Sequence, residues 1–582
     1  MLSRWKVLAS FASLLFSVVP SSQVLVDFQV AQPPPVPSDA KTCTIKIFER
    51  TFGNSYYDPE IVQYTPPTDC GEPGSWAAVT LNFTVTSNGT QYDRLGVFTF
   101  HNTEIWCTST PEPTKHGIIW TYIKDVTRYI PLFSKPGTLL LELDNIVNSK
   151  LTGQYATTLH ATFYVASGEH PTAGQSNLIV PISTLSDKLA NDASVPPAFS
   201  LNVTLPQNTV EIYAELYASG NAQEEFWYGN VANDYIGDLP ADTTYGGGPF
   251  REVRLLVDGI LAGVAFPYAV IFTGGINPAV WKPITSYGAI DLPTYFLDLT
   301  PFAPVFADGL PHNVSIDVVS AEVNHTINHN WYVSGLLQVI THPSGRRTTG
   351  QMISYDAQPY AVTQTYGSVS QADVTVTVKA QRHLHIESLV VSGDGTENYV
   401  VFEQNLDYTN TQYYLNYTNT QNIAQVSSGS VKSTHNGVPV VVDNFEYPLF
   451  INLTYLDVDS TFMSFLTSFD LSYNRQLLPA PFILGSDITE HQLATGFFAI
   501  SSAGNTGSGD NNNTFSYVDS QQNTYNRVVD AVLNKVVYDQ QSGTLASGSY
   551  NPSPFGSAQN GPGSLSVPPA RLPGGKTLGI WL

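Results

Sequence analysis

The sequence predicts an all-β protein with two adjacent jelly-roll β-sandwiches and a further C-terminal β-rich domain. Apolar and polar residues alternate with a period of two, the pattern of half-buried strands. Aromatic residues make up 12% of the chain and charged residues only 13%, which excludes a disordered protein and suits a β-rich one. Turn dipeptides that tolerate positive φ separate the alternating runs: Asn88-Gly89, Asp258-Gly259, Asp308-Gly309 and Asn436-Gly437. Many short strands with few helix signals favour stacked sandwiches of jelly-roll type.

Individual strands follow from this pattern. In "TLHATFYV", Leu159, Ala161 and Phe163 alternate with polar residues, and "VTVTV" alternates Val with Thr from Val374 onward. The segment "NRVVDAVLNKVVYD" could form a helix, but its valines also fit two short strands around Leu533-Asn534. We predict the two strands.

Composition shifts divide the 582 residues into six segments, with no internal repeat of fixed period. The polar stretch Glu169 to Pro181 and the basic turn "HPSGRRTTG" mark the two domain boundaries. The predicted segments are a signal peptide (1–22), a Pro-rich spacer (23–40), the first jelly roll (41–170), the second jelly roll (171–345), the C-terminal β-rich domain (346–541) and a flexible Gly/Ser/Pro-rich tail (542–582).

The first residues predict secretion. Arg4 and Lys6 precede an apolar run that is too short for a good bilayer span, and no later stretch is long and apolar enough to span. We therefore expect no membrane span after signal removal, and a location that is extracellular or in a vacuole-like or other acidic lumen. Eight glycosylation sequons support this route: Asn82, Asn88, Asn202, Asn313, Asn324, Asn416, Asn452 and Asn512.

The cysteine count predicts one disulfide, and the net charge restricts the classes of binding partner. An oxidising compartment favours one disulfide among the three cysteines, and we predict Cys43 with Cys70, leaving Cys107 unpaired. A net charge of −23 at pH 7 repels phosphate backbones, so no nucleic-acid partner is expected. The sequence predicts no oligomeric state.

No metal or cofactor is expected. The chain contains no Gly-x-Ser-x-Gly, His-Glu-x-x-His, Cys-x-x-Cys or phosphate-loop motif. His325 and His329 have the i,i+4 spacing of a metal pair only on a helix, and His383 and His385 lack a carboxylate cluster nearby in sequence. Both pairs are better explained as polar surface residues.

Carboxylates beside aromatic residues are the remaining candidates for chemistry. Asp93 and Arg94 open a strand-like run in "YDRLGVFTFHNTEIW", and Glu104 follows in the same stretch. We expect Asp93 and Glu104 to approach one edge of the same sheet. A second acidic cluster, in "NAQEEFWYGN", contains Glu224, Glu225, Trp227 and Tyr228. Rings that stack on sugars and carboxylates that move protons are typical of carbohydrate sites, while solvated strand ends beside core aromatics are the alternative.

Four long motifs resemble one family: "TEIWCTSTPEPTKHGIIWTYIKDVTRYIPLF", "GPFREVRLLVDG", "FPYAVIFTGGINPAVWKPI" and "AIDLPTYFLDLTPF". They are similar to the acidic peptide-N-glycosidases of plants and fungi, called peptide-N4-(N-acetyl-β-glucosaminyl)asparagine amidase A, from roughly Cys43 to Tyr538. The resemblance implies hydrolysis of the amide between the first N-acetylglucosamine and asparagine in N-glycopeptides or denatured glycoproteins. The intact glycan would leave and Asp would replace Asn. Family members usually carry Arg where this chain has Cys107, which puts glycan preference in question.

The resemblance also implies site residues. The bacterial peptide-N-glycosidases place acidic residues between two jelly rolls, at motifs similar to Asp93-Arg94, Glu104-Ile105 and Glu225-Phe226 here. The hypothesis is that Asp93 orients and deprotonates water. In this hypothesis Glu225 positions the glycan core and assists proton transfer, and Glu104 binds substrate or tunes the other two.

Further side chains are predicted to bind the substrate. Arg94 would keep Asp93 ionised, and Glu224, Trp227 and Tyr228 would contact substrate. Trp106 and Trp281 are better explained as core residues, and the Gly274-Gly275 pair as a tight turn. A lectin without catalysis, a glycosidase acting on a sugar-sugar bond and a structural wall protein are the competing interpretations.

Overall fold

The computed structural model describes residues 25–459, 461–481 and 485–546, and strands make up nearly all of their regular secondary structure. The predicted signal peptide and most of the predicted tail lie outside them. Within the described residues no helix is both long and apolar enough to cross a membrane. The many strands in this part of the chain, with only short helical turns between them, confirm the all-β fold class.

Two sheets containing β1–β9 form the first sandwich, and Phe83 of one sheet contacts Phe98 and Trp106 of the other edge-to-face. One sheet has the order β1-β7-β4-β9-β2 and the other β3-β8-β5-β6. The elements are β1 Val26–Asp27, β2 Thr42–Phe52, β3 Glu60–Tyr64, β4 Ala78–Asn88, β5 Leu95–Phe100, β6 Thr103–Ser109, β7 Ile118–Asp125, α1 Ile130–Phe133, β8 Gly137–Leu143 and β9 Gln154–Tyr164.

A second sandwich repeats this strand order. Its sheets run β10-β18-β13-β16, with β11 also on β18, and β12-β17-β14-β15. The elements are β10 Leu178–Ile182, β11 Ala193–Val195, β12 Phe199–Val203, β13 Thr209–Gly220, β14 Glu252–Val257, β15 Ile260–Ala265, β16 Tyr295–Asp298, α2 Ala303–Phe306, β17 His312–Val319 and β18 Trp331–Thr341. Both strand orders are consistent with the predicted jelly rolls.

The sequence carries a trace of this duplication at one place. "DVTRYIPLF" from Asp125 and "DLTPFAPVF" from Asp298 occupy the same position in the two sandwiches and include α1 and α2. In each, the Asp Oδ1 accepts a hydrogen bond of 2.8 Å from the backbone N–H of the Thr two residues later, Thr127 or Thr300. Thus a repeat of topology exists although the sequence showed no fixed period.

The remaining strands form one sheet of eleven, ordered β19-β21-β22-β23-β24-β25-β26-β27-β28-β29 with β20 also on β21. The elements are β19 Thr349–Ala357, β20 Val362–Val369, β21 Val374–Val391, β22 Glu397–Leu415, β23 Thr420–His435, β24 Val438–Val458, β25 Phe462–Leu478, β26 Ser486–Ser501, β27 Thr506–Asp519, β28 Thr524–Val532 and β29 Lys535–Ser542. We call this the long sheet.

Sequence-predicted turns are partly confirmed. Asp258-Gly259, Asn436-Gly437 and Leu533-Asn534 have positive φ and join β14 to β15, β23 to β24 and β28 to β29. Asn88-Gly89 and Asp308-Gly309 join no hairpin, since the strand after Asn88 lies in the other sheet and α2 precedes Asp308.

The long sheet packs on the second sandwich through shared apolar residues and buried polar contacts. One core cluster contains Val253 and Val264 of the sandwich and Ile386 and Phe402 of the long sheet. The Gln404 side chain also joins the two units. Its Oε1 accepts from Val264 N–H at 2.9 Å, and its Nε2 donates to Val264 O at 2.8 Å.

All eight sequons lie on exposed or half-buried positions, so glycosylation stays a prediction that this fold accommodates. Asn202 and Asn313 are cross-strand partners, and the Asn313 amide donates to Asn202 Oδ1 at 3.3 Å. The Pro-rich spacer also lies on the fold: Phe28 is buried, and Gln29 Oε1 accepts from Arg527 of the long sheet at 2.5 Å.

We expect Arg382→Met to reduce the free energy of unfolding by about 3–5 kcal/mol, because it leaves the buried Glu252 carboxylate without its partner. Arg382 Nε donates to Glu252 Oε2 at 3.0 Å, and both side chains are almost completely buried. Denaturant titration followed by tryptophan fluorescence measures the change. Lys379→Met, at an exposed site on the same strand, is the control. Equal stability of the two variants would contradict this account of the interface.

Candidate active site

A tight hairpin determines where the first predicted carboxylates lie. β5 and β6 are joined by His101-Asn102, whose φ values of 50° and 61° give the turn that matches strand twist. Thr99 pairs with Glu104 next to this turn. Asp93 lies at the opposite end of the hairpin, six residues from Thr99 and therefore roughly 20 Å along the strand. The structure does not bring Glu104 to Asp93, because Glu104 lies beside the turn and Asp93 lies at the far end of the hairpin.

Asp93 and Glu225 do line one cleft between the two sandwiches. Its volume is about 480 Å³. The first sandwich contributes Asp93 and Arg94, just before β5, and the second contributes Glu225 together with the end of β13. The remaining lining residues are Tyr56, Tyr57, Leu95, Val97, Ser109, Glu142, Asp144, Leu189, Ala190, Asp192, Ser219, Gly220, Asn221, Phe272 and Tyr332.

A short 3₁₀ turn directly after β13 orients Glu225. This turn spans Ala222–Glu224 and begins where Ala222 takes a positive φ of 55°. Consecutive residues of a 3₁₀ turn point about 120° apart. Glu225 therefore lines the cleft, while Glu224 points into the protein.

Glu224 is fully buried and belongs to an ion pair. Arg251 donates to both of its carboxylate oxygens at 2.5 and 2.7 Å, and Trp331 Nε1 donates to Oε2 at 2.8 Å. Burial would raise the pKa of Glu224, but the Arg251 charge and these hydrogen bonds lower it. The structure does not bring Glu224 to the cleft.

Trp227 and Tyr228 also pack inside the protein. Trp227 is 4% exposed and Tyr228 is fully buried, and both belong to the core of the second sandwich. Trp106 and Trp281 are buried as well, as expected for core residues. None of these four rings lines the cleft.

Other aromatic rings stand at the cleft. Tyr56 and Tyr57 are 48% and 75% exposed, and Phe272 and Tyr332 are half-buried. Tyr56 accepts a hydrogen bond of 3.4 Å from Arg94 Nη1, and Arg94 Nη2 donates to Gln91 Oε1 at 2.8 Å. Rings with this exposure can stack on the apolar face of a sugar. Sequence reasoning missed them because "SYYD" carries no pattern that separates a surface aromatic pair from a strand.

Three further carboxylates form a wall of the cleft. Burial, with a contribution from the Asp144 charge, raises the pKa of Asp192 to about 6. Burial also raises the pKa values of Glu142 and Asp144, and the backbone N–H of Ala190 donates to Glu142 Oε2 at 2.5 Å. This wall therefore holds protons more tightly than ordinary carboxylates and carries less charge in mild acid.

Glu104 lies behind the cleft, at the seam between the sandwiches. It is 3% exposed and accepts a hydrogen bond from the Ser334 hydroxyl of β18. A cavity of about 10 Å³ separates it from Asp192, and Cys107 lines the same cavity. Burial, with a smaller contribution from the Asp192 charge, raises the pKa of Glu104 to about 8.

Glu112 is an acidic residue of the site that sequence reasoning missed. It lies just beyond β6, next to the Asp93 end of the hairpin, and it is 1% exposed. Its carboxylate lies 3.4 Å from Lys282 Nζ of the second sandwich. Recognising His101-Asn102 as a hairpin turn would have found it, since the hairpin brings the residues near 112 level with those near 93.

The disulfide between Cys43 and Cys70 is formed, and Cys107 is a buried free thiol. Among the described residues, the grouping of His, Cys, Asp and Glu close enough for a metal is Cys43, Asp69 and Cys70, whose sulfurs are already joined to each other. The cleft carboxylates form no such grouping in the part of the chain that the structure describes.

Comparisons with known proteins agree on one family. A family model described as "Peptide N-acetyl-beta-D-glucosaminyl asparaginase amidase A" matches residues 32–358, and one described as "PNGase_A C-terminal domain" matches residues 375–449. A protein of Prunus dulcis named "Peptide-N4-(N-acetyl-beta-glucosaminyl)asparagine amidase A" is 34% identical over 362 residues. This match covers 58% of the chain and 61% of the almond protein.

A solved structure titled "Structure of PNGF-II in C2 space group" is also similar in part. It is 14% identical, with a TM-score of 0.34, and the match covers 52% of this chain and 65% of that one.

We expect the stability of the protein to fall as the pH rises from about 4.5 to 8, with Glu104 as one cause. The folded state raises the pKa of Glu104 from 4.5 to about 8, so the stabilisation is complete below pH 4.5 and is lost as pH rises through 8. Glu104→Gln should flatten this decline. Thermal midpoints measured at intervals from pH 4 to 9 provide the test. An unchanged slope in the variant would show that Glu104 is not protonated at neutral pH.

Proposed function

Because the chain belongs to the peptide N-acetyl-β-D-glucosaminyl asparaginase amidase A family, we propose that it hydrolyses the amide between N-acetylglucosamine and asparagine in N-glycopeptides. The observation that carries this proposal is the cleft between the sandwiches, which Asp93 of the first sandwich and Glu225 of the second both line. Such a cleft suits an amide bond with a glycan on one side and a peptide on the other. The products are an intact glycosylamine and a peptide with Asp in place of Asn.

In this proposal Asp93 accepts a proton from water, which attacks the asparagine side-chain carbonyl carbon. Arg94, the cation of the cleft wall, donates N–H groups to the oxygen that becomes negative. Glu225 delivers a proton to the departing nitrogen, the C–N bond breaks, and the glycan leaves as its 1-amino derivative. The new peptide carboxyl group keeps the water oxygen.

In this proposal the aromatic residues that line the cleft stack on the sugar, in place of the buried Trp227 and Tyr228. Tyr57, 75% exposed, can present its ring to the first sugar without any change in the core. The proton-holding wall of Glu142, Asp144 and Asp192 supports work at mildly acidic pH, because carboxyl groups that stay neutral can donate hydrogen bonds to sugar hydroxyls. Secretion, or delivery to an acidic lumen, is part of the proposal and is consistent with the Cys43–Cys70 disulfide.

Two competing functions would leave the glycopeptide in a different state. A lectin would bind the glycopeptide and return it unchanged. A glycosidase acting between sugars would leave one sugar on the peptide. Mass spectrometry after incubation of a defined glycopeptide at mildly acidic pH in H₂¹⁸O separates all three, because only the amidase puts one ¹⁸O into a sugar-free peptide.

We expect Asp93→Asn to lower kcat/KM for glycan release by about 10² to 10⁴, the usual effect of losing an acid–base group. The half-buried position of Asp93 and the isosteric change should leave thermal stability intact. Asp457→Asn, the same change at an exposed site on the long sheet, serves as the matched control. Full activity of Asp93→Asn would exclude this role.

We expect Tyr57→Ala to raise KM about tenfold with little change in kcat, since a stacked ring contributes about 0.5–1.5 kcal/mol beyond its buried area. Steady-state kinetics on a glycopeptide gives both constants. Tyr417→Ala, at a residue 61% exposed in the turn between β22 and β23, is the control and should leave KM unchanged. A KM as low as that of the control would remove Tyr57 from the sugar site.

A further inference from the structure

Gly274 lies against two carboxylates at once. A Cβ atom built on Gly274 would lie 2.3 Å from Asp93 Oδ1 and 2.8 Å from Glu112 Oε1. The two oxygens are therefore separated by no more than the sum of these distances, about 5 Å. A side chain at this position would displace one or both carboxylates, so the glycine permits their close approach. Gly274 also lies in the predicted tight turn, where the Gly275 N–H donates to Phe272 O at 2.8 Å.

Lys282 completes a group of three charges across the seam. Its Nζ lies 3.4 Å from Glu112 Oε2, and the side chains of Lys282 and Glu112 are 5% and 2% exposed. The backbone of Glu112 is fixed by Thr273, whose Oγ1 accepts from Glu112 N–H at 3.2 Å and donates to Thr110 O at 2.9 Å. The first sandwich thus supplies both carboxylates, and the second supplies the cation and the glycine between them.

The long sheet holds the backbone of the loop that carries Lys282. Asn534 Nδ2 donates to Lys282 O at 2.9 Å, and Asn511 Nδ2 donates to Val280 O at 2.9 Å. Within the loop, Trp281 Nε1 donates to Gly275 O at 3.0 Å, which joins the Lys282 end to the glycine end. Three parts of the fold therefore fix the positions of these charges.

Glu112 and Lys282 are buried and Asp93 is half-buried, so solvent screens these charges less than it would at the surface, and each changes the proton binding of the others. A carboxylate near Asp93 strengthens the hold of Asp93 on a proton, and a cation weakens it. Burial lowers the pKa of Lys282, while the charges of Glu112 and Asp93 act in the opposite direction. Glu112 and Lys282 thus act on Asp93 with opposite signs.

We propose that Glu112 and Lys282 are positioning residues that together set the proton affinity of Asp93, which Glu112 increases and Lys282 decreases. This inference rests on the proposed amidase function, in which Asp93 must lose its proton before it can activate water. Other charged or titratable groups around Asp93 remain in place when the pair is changed: Arg94 next in the chain, Tyr155 in β9, Glu225 across the cleft, and Glu142, Asp144 and Asp192 on the wall.

The test is the pH dependence of kcat/KM in Glu112→Gln and Lys282→Met. Asp93 must be ionised to act, so its titration gives the acidic limb of the profile. Glu112→Gln should move this limb to lower pH by about one unit, and Lys282→Met should move it to higher pH by a similar amount. Glu72→Gln, the same loss of charge at an exposed site of the first sandwich, should leave the limb in place.

A merely structural role would lower the rate at every pH without moving the limb. A limb that stays in place in Glu112→Gln, or that moves in the same direction in both variants, would overturn the inference. Should Lys282→Met not fold, the direction of the shift in the isosteric Glu112→Gln decides alone. Wild-type glycan release tests the proposed function separately, because it does not depend on where the limb lies.

Discussion

The need to pair charges that are buried between the two sandwiches fixes the geometry of the cleft. Glu215 of β13 is 2% exposed, and it receives hydrogen bonds from Tyr129 at 3.0 Å and Thr294 at 2.7 Å and an ion pair with Arg128 at 3.0 Å. A carboxylate removed from water without such partners would cost several kcal/mol. Tyr129 and Arg128 come from the first sandwich, so satisfying Glu215 also holds the sandwiches in one relative position.

The long sheet stabilises the same cleft from the other side, through side-chain amides that bind backbone carbonyls. Asn410 Nδ2 donates to Tyr228 O at 2.9 Å and Gln412 Nε2 donates to Asn230 O at 2.8 Å, which fixes the segment after Glu225. Irregular segments have unpaired backbone groups, and a buried loop needs partners for them. A β-sheet with amide side chains on its inner face supplies such partners to the two loops that carry Glu225 and Lys282.

The sequence predicted the strands well, because alternation and turn dipeptides are local signals. It placed Asp93 and Glu225 in one cleft only through the resemblance to a family, since no local pattern links residues so far apart. Asp93 and Glu104 were expected at one edge of a sheet, but the His101-Asn102 turn pairs Glu104 with Thr99 and leaves Asp93 at the other end of the hairpin. Glu224, Trp227 and Tyr228 were assigned to the substrate because they are neighbours of Glu225 in sequence. Successive residues of a 3₁₀ turn point about 120° apart, so neighbours there do not share one site.

The repeated topology shows how one arrangement can take two roles. Asp125 and Asp298 occupy equivalent positions, and each accepts the N–H of the Thr two residues later. In the second sandwich the other oxygen of Asp298 also accepts from Ser433 and contacts His435 Nε2 at 2.9 Å, both on β23 of the long sheet. Because the local cap uses one carboxylate oxygen, the second oxygen was available for a new contact. The second sandwich therefore contacts the long sheet through Asp298, the same residue that caps its own turn.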